Sequence, residues 1–438
     1  MTALRRDIGL PGAILLSFNG IVGAGIFALP GTLYAQFGTF SPWLFPLFGA
    51  LMLLIAAPFA WLAATSSVSG GPVTYVAPFG RAASFQAGWL YYVARTAAFA
   101  ANANVFAVYA AALWPPLGSM AGRAITIVTL IAAVAGINVV GVRRTIRALD
   151  IATILKALPL VVLAIWALVE MGGPPAPGKL PSFSALEAAA LLTLYAFIGF
   201  EQSVVPAGET KSPERSIPRA LVSTIIVTAA LYFLVQLAYV AVMPAGAAPE
   251  APLAAFAEVL LGPLGIILLS ATAMISVGGN ILSTMAAVPR LTFALAEQRQ
   301  LPRFFGEVDH RWGTPAKSIQ FMAVLCAVLA LSGSFVWLAV VSTLARMFAY
   351  GACIAALPAT RRRANMPVRP TMWPVILGGL LLCVWVAAQS SARSWALLGI
   401  LFAVGLVLYA IAARGIGSST VADKVSAMTP PPSTRDPE

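Results

Sequence analysis

Long apolar blocks, separated by short polar segments, follow one another along most of the chain. Blocks such as Val324 to Leu331 and Leu397 to Ala413 contain no charged residue. A helix that spans the hydrocarbon core of a bilayer needs about 20 mostly apolar residues. The pattern therefore predicts an all-α integral membrane protein with twelve transmembrane helices. Their predicted bounds are 11–36, 40–65, 84–113, 122–140, 149–170, 185–208, 217–243, 255–297, 317–333, 335–357, 371–388 and 393–413.

The loops between these blocks are short, and we expect no separate soluble domain. The eighth block is too long for one crossing, and we expect it to include a cytoplasmic helix near Leu291 to Phe305. We divide the chain into a cytoplasmic N-terminal tail (1–10), a ten-helix core (11–357), helices 11 and 12 with the basic loop before them (358–413), and a cytoplasmic tail (414–438). The tail is rich in Ser, Thr and Pro, a composition that favours disorder.

Composition supports the membrane interpretation, since 60% of the residues are hydrophobic and only 10% are charged. Soluble domains carry about 25% charged residues, so a water-soluble fold is excluded. The net charge is +12, but the basic residues are dispersed between apolar blocks instead of lying along one face. We therefore expect the lipid bilayer, and no nucleic acid, as a partner. The three cysteines, Cys326, Cys353 and Cys383, lie inside predicted spans, which indicates neither a disulfide framework nor a metal site.

Lysine and arginine are concentrated on one side of the predicted membrane. With the N-terminus placed in the cytoplasm, 21 of the 27 basic residues fall in cytoplasmic loops or span ends, and three fall on the opposite side. The remaining three, Arg95, Lys156 and Arg346, lie within spans. Because cytoplasmic loops carry an excess of Lys and Arg in membrane proteins, we expect both termini in the cytoplasm and an even number of crossings.

Glycines are clustered in the middle of the first span, in the segment Gly20-Ile-Val-Gly23-Ala-Gly25. Each glycine weakens a helix by about 1 kcal/mol relative to alanine. One explanation is a close contact between helices, because small residues let backbones approach each other in a membrane. The other is an unwound midpoint, which a bilayer tolerates only where the irregular backbone lines a cavity. Both explanations stay open at this point.

The sixth span contains a comparable segment, Tyr195-Ala-Phe-Ile-Gly199-Phe-Glu201. Interruptions in the first and sixth spans occupy corresponding positions of two five-helix halves, a pattern that indicates a transporter site at the interface of inverted repeats. A half-helix that starts near Gly25 would present free N–H groups to a carboxylate. Carbonyl groups freed at Ala196, Phe197 and Ile198 would accept hydrogen bonds from an ammonium group. The predicted ligand is therefore a zwitterionic α-amino acid.

At this point the chain resembles the amino acid–polyamine–organocation (APC) superfamily, over about residues 8 to 410. The motifs that carry the resemblance are Gly23-Ala-Gly25-Ile-Phe27, Ser69-Gly-Gly-Pro-Val-Thr-Tyr75, Phe197-Ile-Gly-Phe-Glu201 and Gly208-Glu-Thr-Lys-Ser-Pro-Glu-Arg-Ser-Ile-Pro218. The resemblance implies a LeuT-type core of five plus five inverted helices with discontinuous helices 1 and 6, and two additional C-terminal helices. It also implies alternating access to a central amino acid site.

The resemblance also assigns residues to that site. Ile21, Ala24 and Gly25 match positions of the first span that contact substrate. Tyr195 matches the aromatic gate, which is often Trp in antiporters of the superfamily. Ile198 matches a wall of the pocket.

Lys156 lies inside the fifth span, where a charge is costly and function is the default hypothesis. Its long stem would also allow the ammonium group to reach the cytoplasmic interface. By resemblance to sodium-independent members, a lysine here takes the place of a sodium ion and ties the first helix to the eighth, where Ser276 is a candidate neighbour. Because burial disfavours the charged form of lysine, we hypothesise that Lys156 couples transport to protons.

Glu201 is the only carboxylate predicted to lie in the middle of a span. It matches a position proposed as a proton-responsive acid in related antiporters, or it forms a structural pair with an arginine. Arg95 and Arg346 both lie near the predicted midplane and need partners, since arginine does not deprotonate in proteins. An excess of positive charge would disfavour arginine, lysine and polyamines as substrates and favour neutral or acidic amino acids. Alternatively, backbone carbonyls hold either arginine away from the substrate.

Asn102 and Asn104 lie two residues apart in the third span. Residues at this spacing do not face the same side of a helix, so at most one of them is expected to line a cavity. Hydrogen bonding between helices is the other explanation for both.

These observations predict a secondary active transporter of neutral or acidic amino acids, coupled to protons, independent of sodium and without a cofactor. An exchanger or exporter without net proton coupling, and a nutrient sensor that does not transport, are the alternatives. An enzyme is not expected, because the single histidine, His310, lies in a loop and no span holds a nucleophile–base pair or a metal cluster. The excess of Arg over Lys and the frequent use of Ala suggest a GC-rich bacterial genome. We therefore expect a protein of the bacterial inner membrane, as a monomer or homodimer.

Overall fold

A computed structural model of the chain describes residues 8–65, 71–140, 145–204 and 210–428, without the side chains of 145–155 and 414–428. Within this part of the chain the regular structure is helical, and an isolated β-bridge joins Ile8 to Thr210. The predicted all-α class agrees with this observation. Residues 1–7, the beginnings of two motifs at Ser69 and Gly208, and the last ten residues lie outside the described residues.

The α-helices are numbered in chain order. They are α1 (Leu10–Ile21), α2 (Ala24–Phe37), α3 (Leu44–Ala63), α4 (Pro72–Tyr75), α5 (Arg81–Leu113), α6 (Met120–Val140), α7 (Thr145–Glu170), α8 (Phe183–Tyr195), α9 (Pro213–Val242), α10 (Pro252–Leu261), α11 (Pro263–Ala287), α12 (Pro289–Glu297), α13 (Ala316–Ser332), α14 (Phe335–Arg363), α15 (Trp373–Ala388) and α16 (Ala392–Met428). Short 3₁₀ turns join several of them, including Phe200–Val204 after α8.

Nine segments of the described chain are long and apolar enough to cross a membrane. Three further apolar helices, α1, α10 and α13, are shorter. The chain is therefore a multi-pass membrane protein, while the count of twelve crossings stays a prediction. Helix α16 continues beyond residue 414, at which the predicted tail begins, and the side chains from there onward lie outside the description.

The eighth block was predicted to be one span with a cytoplasmic helix after it, and the structure differs from this prediction. It contains three helices, α10, α11 and α12, and the expected helix near Leu291 to Phe305 is α12 itself, which ends earlier, at Glu297. The break between α10 and α11 was not predicted, because apolar residues continue on both sides of it. Gly262 ends α10 with φ +60°, a conformation that favours glycine, and Pro263 begins α11 in the first-turn position that proline prefers.

The long helix α5 is buried over most of its length and packs against α14 and α11. Helix α9 packs along both α1 and α3. The aromatic residue Trp89 of α5 is buried and donates a hydrogen bond from Nε1 to the carbonyl oxygen of Leu401 at 2.7 Å, which attaches α16 to α5. This packing surrounds the ends of α1, α2 and α8, where the helices are interrupted.

Candidate functional site

The first interruption lies between α1 and α2. Helix α1 ends at Ile21, the ψ angle of Val22 departs from the helical value at 85°, and α2 begins at Ala24. The amide of Gly23 turns back to the carbonyl oxygen of Ile21 at 2.8 Å. Within the described chain, the N–H groups of Gly25 and Ile26 form no hydrogen bond. The first turn of α2 therefore presents free donors, as predicted from the glycine cluster.

The second interruption follows α8. This helix ends at Tyr195, residues 196–199 form a turn, and the chain continues as the 3₁₀ turn Phe200–Val204. Gly199 has φ +112°, a backbone conformation that residues other than glycine rarely adopt. The carbonyl oxygens of residues 196–198 accept no hydrogen bond from the described residues. This break therefore leaves free acceptors close to the free donors of α2.

The two interruptions touch each other through their glycines. A Cβ atom on Gly199 would lie 2.2 Å from the carbonyl oxygen of Gly20, and a Cβ atom on Gly25 would lie 3.1 Å from the Cα atom of Ala196. The Ser17 hydroxyl adds a hydrogen bond of 2.7 Å to the carbonyl oxygen of Phe200. Both explanations of the glycine cluster therefore apply, since the helix is broken and the two backbones are also in close contact.

A small cavity lies where the interruptions meet. Seven residues predicted from the sequence line it: Ile21, Ala24, Gly25, Arg95, Tyr195, Ile198 and Arg346. The other lining residues are Gly20, Gly23, Ala98, Asn102, Asn280 and Thr284. The cavity is thus bounded by both broken helices and by α5, α11 and α14.

Two residues of the predicted binding set have side chains outside this lining. Ala196 packs against Gly25. The ring of Phe197 packs between Phe45 and Tyr232, with centroid distances of 6.5 Å and 6.0 Å. Consecutive residues of a tight turn point in different directions, so only Ile198 of the three faces the cavity. The prediction for Ala196 and Phe197 concerned their carbonyl groups, which accept no hydrogen bond from the described residues, and it stays a prediction.

Lys156 is buried, with 2% of its surface exposed, and its ammonium group is directed to the first interruption. Nζ donates to the side-chain oxygen of Asn19 at 2.6 Å and to the carbonyl oxygen of Val22 at 2.9 Å. The alternative in which this side chain reaches the cytoplasmic interface is therefore wrong. The cation instead satisfies a carbonyl group that the break of the helix has freed.

The predicted partner of Lys156 on the eighth span is not used. The hydroxyl group of Ser276 is buried without a hydrogen-bond partner in the described part of the chain. Asn280, one helical turn further along α11, makes the connection to α1 instead. Its Nδ2 donates to the carbonyl oxygens of Asn19 at 2.9 Å and Gly20 at 3.3 Å. An amide reaches two neighbouring carbonyls from this position, whereas Lys156 is already engaged by the first helix.

Asn102 extends this connection to α2. Its Oδ1 accepts a hydrogen bond from the amide of Ala24 at 2.9 Å, and its Nδ2 donates to Oδ1 of Asn280 at 2.9 Å. Asn104 points elsewhere and donates to the carbonyl oxygens of Ala100 and Ala330. The prediction that at most one of the two asparagines lines a cavity is confirmed.

Glu201 and Arg346 form a buried ion pair, with Oε1 and Nε 3.5 Å apart and 1% of each side chain exposed. The other carboxylate oxygen accepts from the amide of Gly199 at 3.1 Å, so that Glu201 also holds the turn after α8. Arg346 donates from Nη1 to the carbonyl oxygen of Ala94 at 3.3 Å and to the hydroxyl group of Ser342. The sequence allowed a structural pair between Glu201 and an arginine, and this pair is present.

Arg95 has no carboxylate partner within ion-pair distance in the described chain. Its Nη2 donates to the hydroxyl group of Thr284 at 3.0 Å, and its buried Nε makes no hydrogen bond there. The side chain is 4% exposed and lines the cavity.

Asn280 and Thr284 are cavity residues that the sequence reasoning missed. Together with Ser276 they occupy every fourth position of α11, a spacing that puts them on one face of the helix. This polar stripe within an apolar helix was a visible signal. A second signal was the seven-residue spacing of Arg95 and Asn102, which is two helical turns and selects Asn102 over Asn104.

Comparisons with known proteins agree on one class of protein. A family model described as "Amino acid permease" matches residues 8–392. The serine/threonine exchanger SteT of Bacillus subtilis is 27% identical over 75% of this chain and 77% of its own. The uncharacterized transporter Rv1999c of Mycobacterium tuberculosis is 30% identical, over 75% of this chain and 74% of its own. A cadaverine/lysine antiporter of Escherichia coli is 27% identical over 74% of each chain.

The contact of the two interruptions predicts a strong effect of a small substitution. Gly199→Ala forces a methyl group against the Gly20 carbonyl oxygen and strains a residue with φ +112°, which alone costs about 1–3 kcal/mol. We expect a lower melting temperature in detergent and less monodisperse protein. Gly136→Ala is the control, because a Cβ atom on this residue of α6 meets nothing within 4 Å. Equal melting temperatures of Gly199→Ala and the unmodified protein would contradict the described contact.

Proposed function

The chain belongs to the amino acid permease family, and we propose that it is a secondary active transporter of amino acids that works by alternating access. The observation that carries the proposal is the meeting of two helix interruptions at one cavity. The free N–H groups of Gly25 and Ile26 suit the α-carboxylate of a substrate, with the positive end of the α2 dipole behind them. The free carbonyl groups of residues 196–198 suit its ammonium group.

We propose twelve crossings in a LeuT-type arrangement of five plus five inverted helices. Helix 1 then consists of α1 and α2, helix 6 of α8 and the 3₁₀ turn after it, and helix 8 of α11. Helices α15 and α16 are the two additional C-terminal helices. The distribution of Lys and Arg supports cytoplasmic termini in a bacterial inner membrane.

The charges around the cavity favour neutral or acidic amino acids over cationic ones. Arg346 is balanced by Glu201, whereas Arg95 and Lys156 have only neutral hydrogen-bond partners in the described chain. Like charges repel strongly where little water screens them. The named substrates of the relatives differ in charge, which makes the local charge of this chain the better guide to its substrate class.

We propose that protons drive the transport cycle through Lys156, and that sodium is not needed. The ammonium group bridges Asn19 and the Val22 carbonyl at the break of helix 1. Loss of its proton removes the positive charge and weakens both hydrogen bonds, so that α1 is held less firmly against α7. Glu201 is the second candidate, because its carboxylate joins the turn after α8 to Arg346.

Two relatives are named an exchanger and an antiporter, which favours amino acid exchange as the second candidate function. An exchanger uses the same cavity but moves one substrate only against another. Uptake that requires a preloaded internal amino acid, and that a proton gradient leaves unchanged, would identify exchange. A protein that binds amino acids without any flux would instead be a nutrient sensor.

Proteoliposomes test the proposed transport directly. We expect the purified protein to accumulate a labelled neutral or acidic amino acid above protein-free liposomes, and an inward proton gradient to raise the initial rate several-fold. Replacing sodium by choline leaves the rate unchanged. Excess alanine or glutamate competes, whereas putrescine and arginine do not, because their positive charges meet Arg95 and Lys156. The opposite order of competition would refute the substrate class, and no uptake of any amino acid would refute transport.

Replacement of Lys156 tests proton coupling. We expect Lys156→Gln to keep a hydrogen bond to Asn19 but to lose the dependence of uptake on pH and on the proton gradient. The stimulation by the gradient falls to near one. Lys317→Gln is the control, since this lysine is exposed and pairs with Glu307 at the surface, and its pH profile stays that of the unmodified protein. An unchanged pH dependence in Lys156→Gln would remove this residue from the coupling scheme.

The role of Glu201 is tested in the same assay, with Glu187 of α8 as the control carboxylate. We expect Glu201→Gln to reduce the pH response of uptake and to lower thermal stability, because the buried Arg346 loses its counter-charge. Glu187→Gln, at the other end of α8 where the side chain accepts from Trp385, should alter neither the pH response nor the competition pattern. If Glu201→Gln retains the full pH response, the residue has a structural role only.

A further inference from the structure

Three buried cations lie at or beside the cavity, and they differ in how they are satisfied. Lys156 donates to Asn19 and to a carbonyl group of helix 1. Arg346 is paired with Glu201 and also donates to the carbonyl oxygen of Ala94 and the hydroxyl group of Ser342. Arg95 has one neutral partner, the hydroxyl group of Thr284. It is the least compensated of the three.

Arg95 is buried and also belongs to the lining of the cavity. Only 4% of the residue is exposed, its Nε has no hydrogen-bond partner in the described chain, and it belongs to the cavity lining. A guanidinium group carries five N–H donors and cannot lose its charge. A desolvated cation without a counter-ion is costly, and in the interior of a membrane protein such a residue indicates a functional contact.

The position of Arg95 along α5 places it apart from the groups that suit the substrate backbone. Asn102 accepts from the amide of Ala24 and so marks the start of α2, where the free donors lie. Arg95 is seven residues away on the same face of α5, which is about 10 Å along the helix. Ala98 lies between these two residues in the cavity lining, so this wall of α5 connects the start of α2 to Arg95.

We propose that Arg95 binds an anionic group on the side chain of the substrate, so that the cavity selects acidic amino acids over neutral ones. The inference rests on the proposed transport function and names its substrate class. Arginine suits this task because its planar donors match the two oxygens of a carboxylate, which a lysine cannot do in the same way. The hydrogen bond from Nη2 to Thr284 orients the guanidinium group, whose other donors have no hydrogen-bond partner in the described chain.

Selectivity follows from what each ligand leaves unpaired. An acidic side chain supplies the missing counter-charge of Arg95. A neutral side chain of the same shape leaves the buried guanidinium group without a counter-charge. A cationic side chain adds electrostatic repulsion. The comparison that isolates this effect is between a carboxylate and the corresponding amide, because glutamate and glutamine, or aspartate and asparagine, differ in little else.

Competition experiments with the full-length protein in proteoliposomes test the inference. We expect glutamate or aspartate to inhibit labelled uptake with at least tenfold lower half-inhibitory concentrations than glutamine or asparagine. In Arg95→Gln this ratio falls to near one, and in Arg95→Lys it is intermediate. Arg393→Gln is the control, since this arginine lies outside the cavity, over the ring of Trp337, and its variant should keep the ratio.

Failure of the inference is distinguishable from failure of the proposed function. If the unmodified protein prefers glutamine or asparagine to the acids, or if Arg95→Gln retains the preference for the acids, Arg95 does not read the side chain, while amino acid transport stands. If no amino acid is transported, the proposed function itself is wrong. Should Arg95→Gln not fold, the comparison of acids with amides in the unmodified protein and in Arg95→Lys decides.

Discussion

The arrangement of this protein depends on one constraint, that backbone groups inside a membrane must be satisfied within the protein. Two helices break this pattern by ending midway, and each break frees polar groups that lipid cannot hydrogen-bond. A small set of side chains from the surrounding helices forms hydrogen bonds with some of these groups. Lys156 and Asn280 take up carbonyl groups of the first helix, Asn102 takes up the first amide of α2, and Glu201 takes up the amide of Gly199. Of the residues whose backbone groups stay free, Gly25 and Ile198 line the cavity.

Polar and charged side chains around the breaks therefore have two different tasks. Most of them are saturated by protein partners: the amides of Asn102 and Asn280 contact each other, and Glu201 is engaged by both Arg346 and a backbone amide. Such groups fix the shape of the interruptions. Arg95 differs from them, because it lines the cavity and its Nε has no hydrogen-bond partner in the described chain. Burial does not distinguish Arg95 from the others, since all of these residues are buried, whereas the number of protein partners does.

Much of this site could be predicted from the sequence, because local residue patterns determine where the helices break. The cluster Gly20, Gly23 and Gly25 located the first break within about one residue, and the run of apolar blocks predicted the helical membrane fold. Contacts between distant segments were harder to foresee. The sequence offered two arginines for Glu201 without distinguishing them, and it suggested Ser276 where Asn280 makes the contact. The spacing of residues in the sequence predicts which of them share a face of a helix. Which of these side chains contacts another helix depends on how both helices are rotated about their axes and on their relative depth in the membrane. The division of α10 from α11 was missed for a related reason, since hydrophobicity continues through the break.

The direct apposition of Gly20 and Gly199 has a mechanical consequence. Where two backbones touch with no side chain between them, there is no compressible layer to absorb a displacement of one against the other. A displacement of either broken helix toward the other at this point would therefore push directly on the neighbouring backbone. The two interruptions are thus coupled mechanically through backbone contact, and a side chain at either glycine would force them apart.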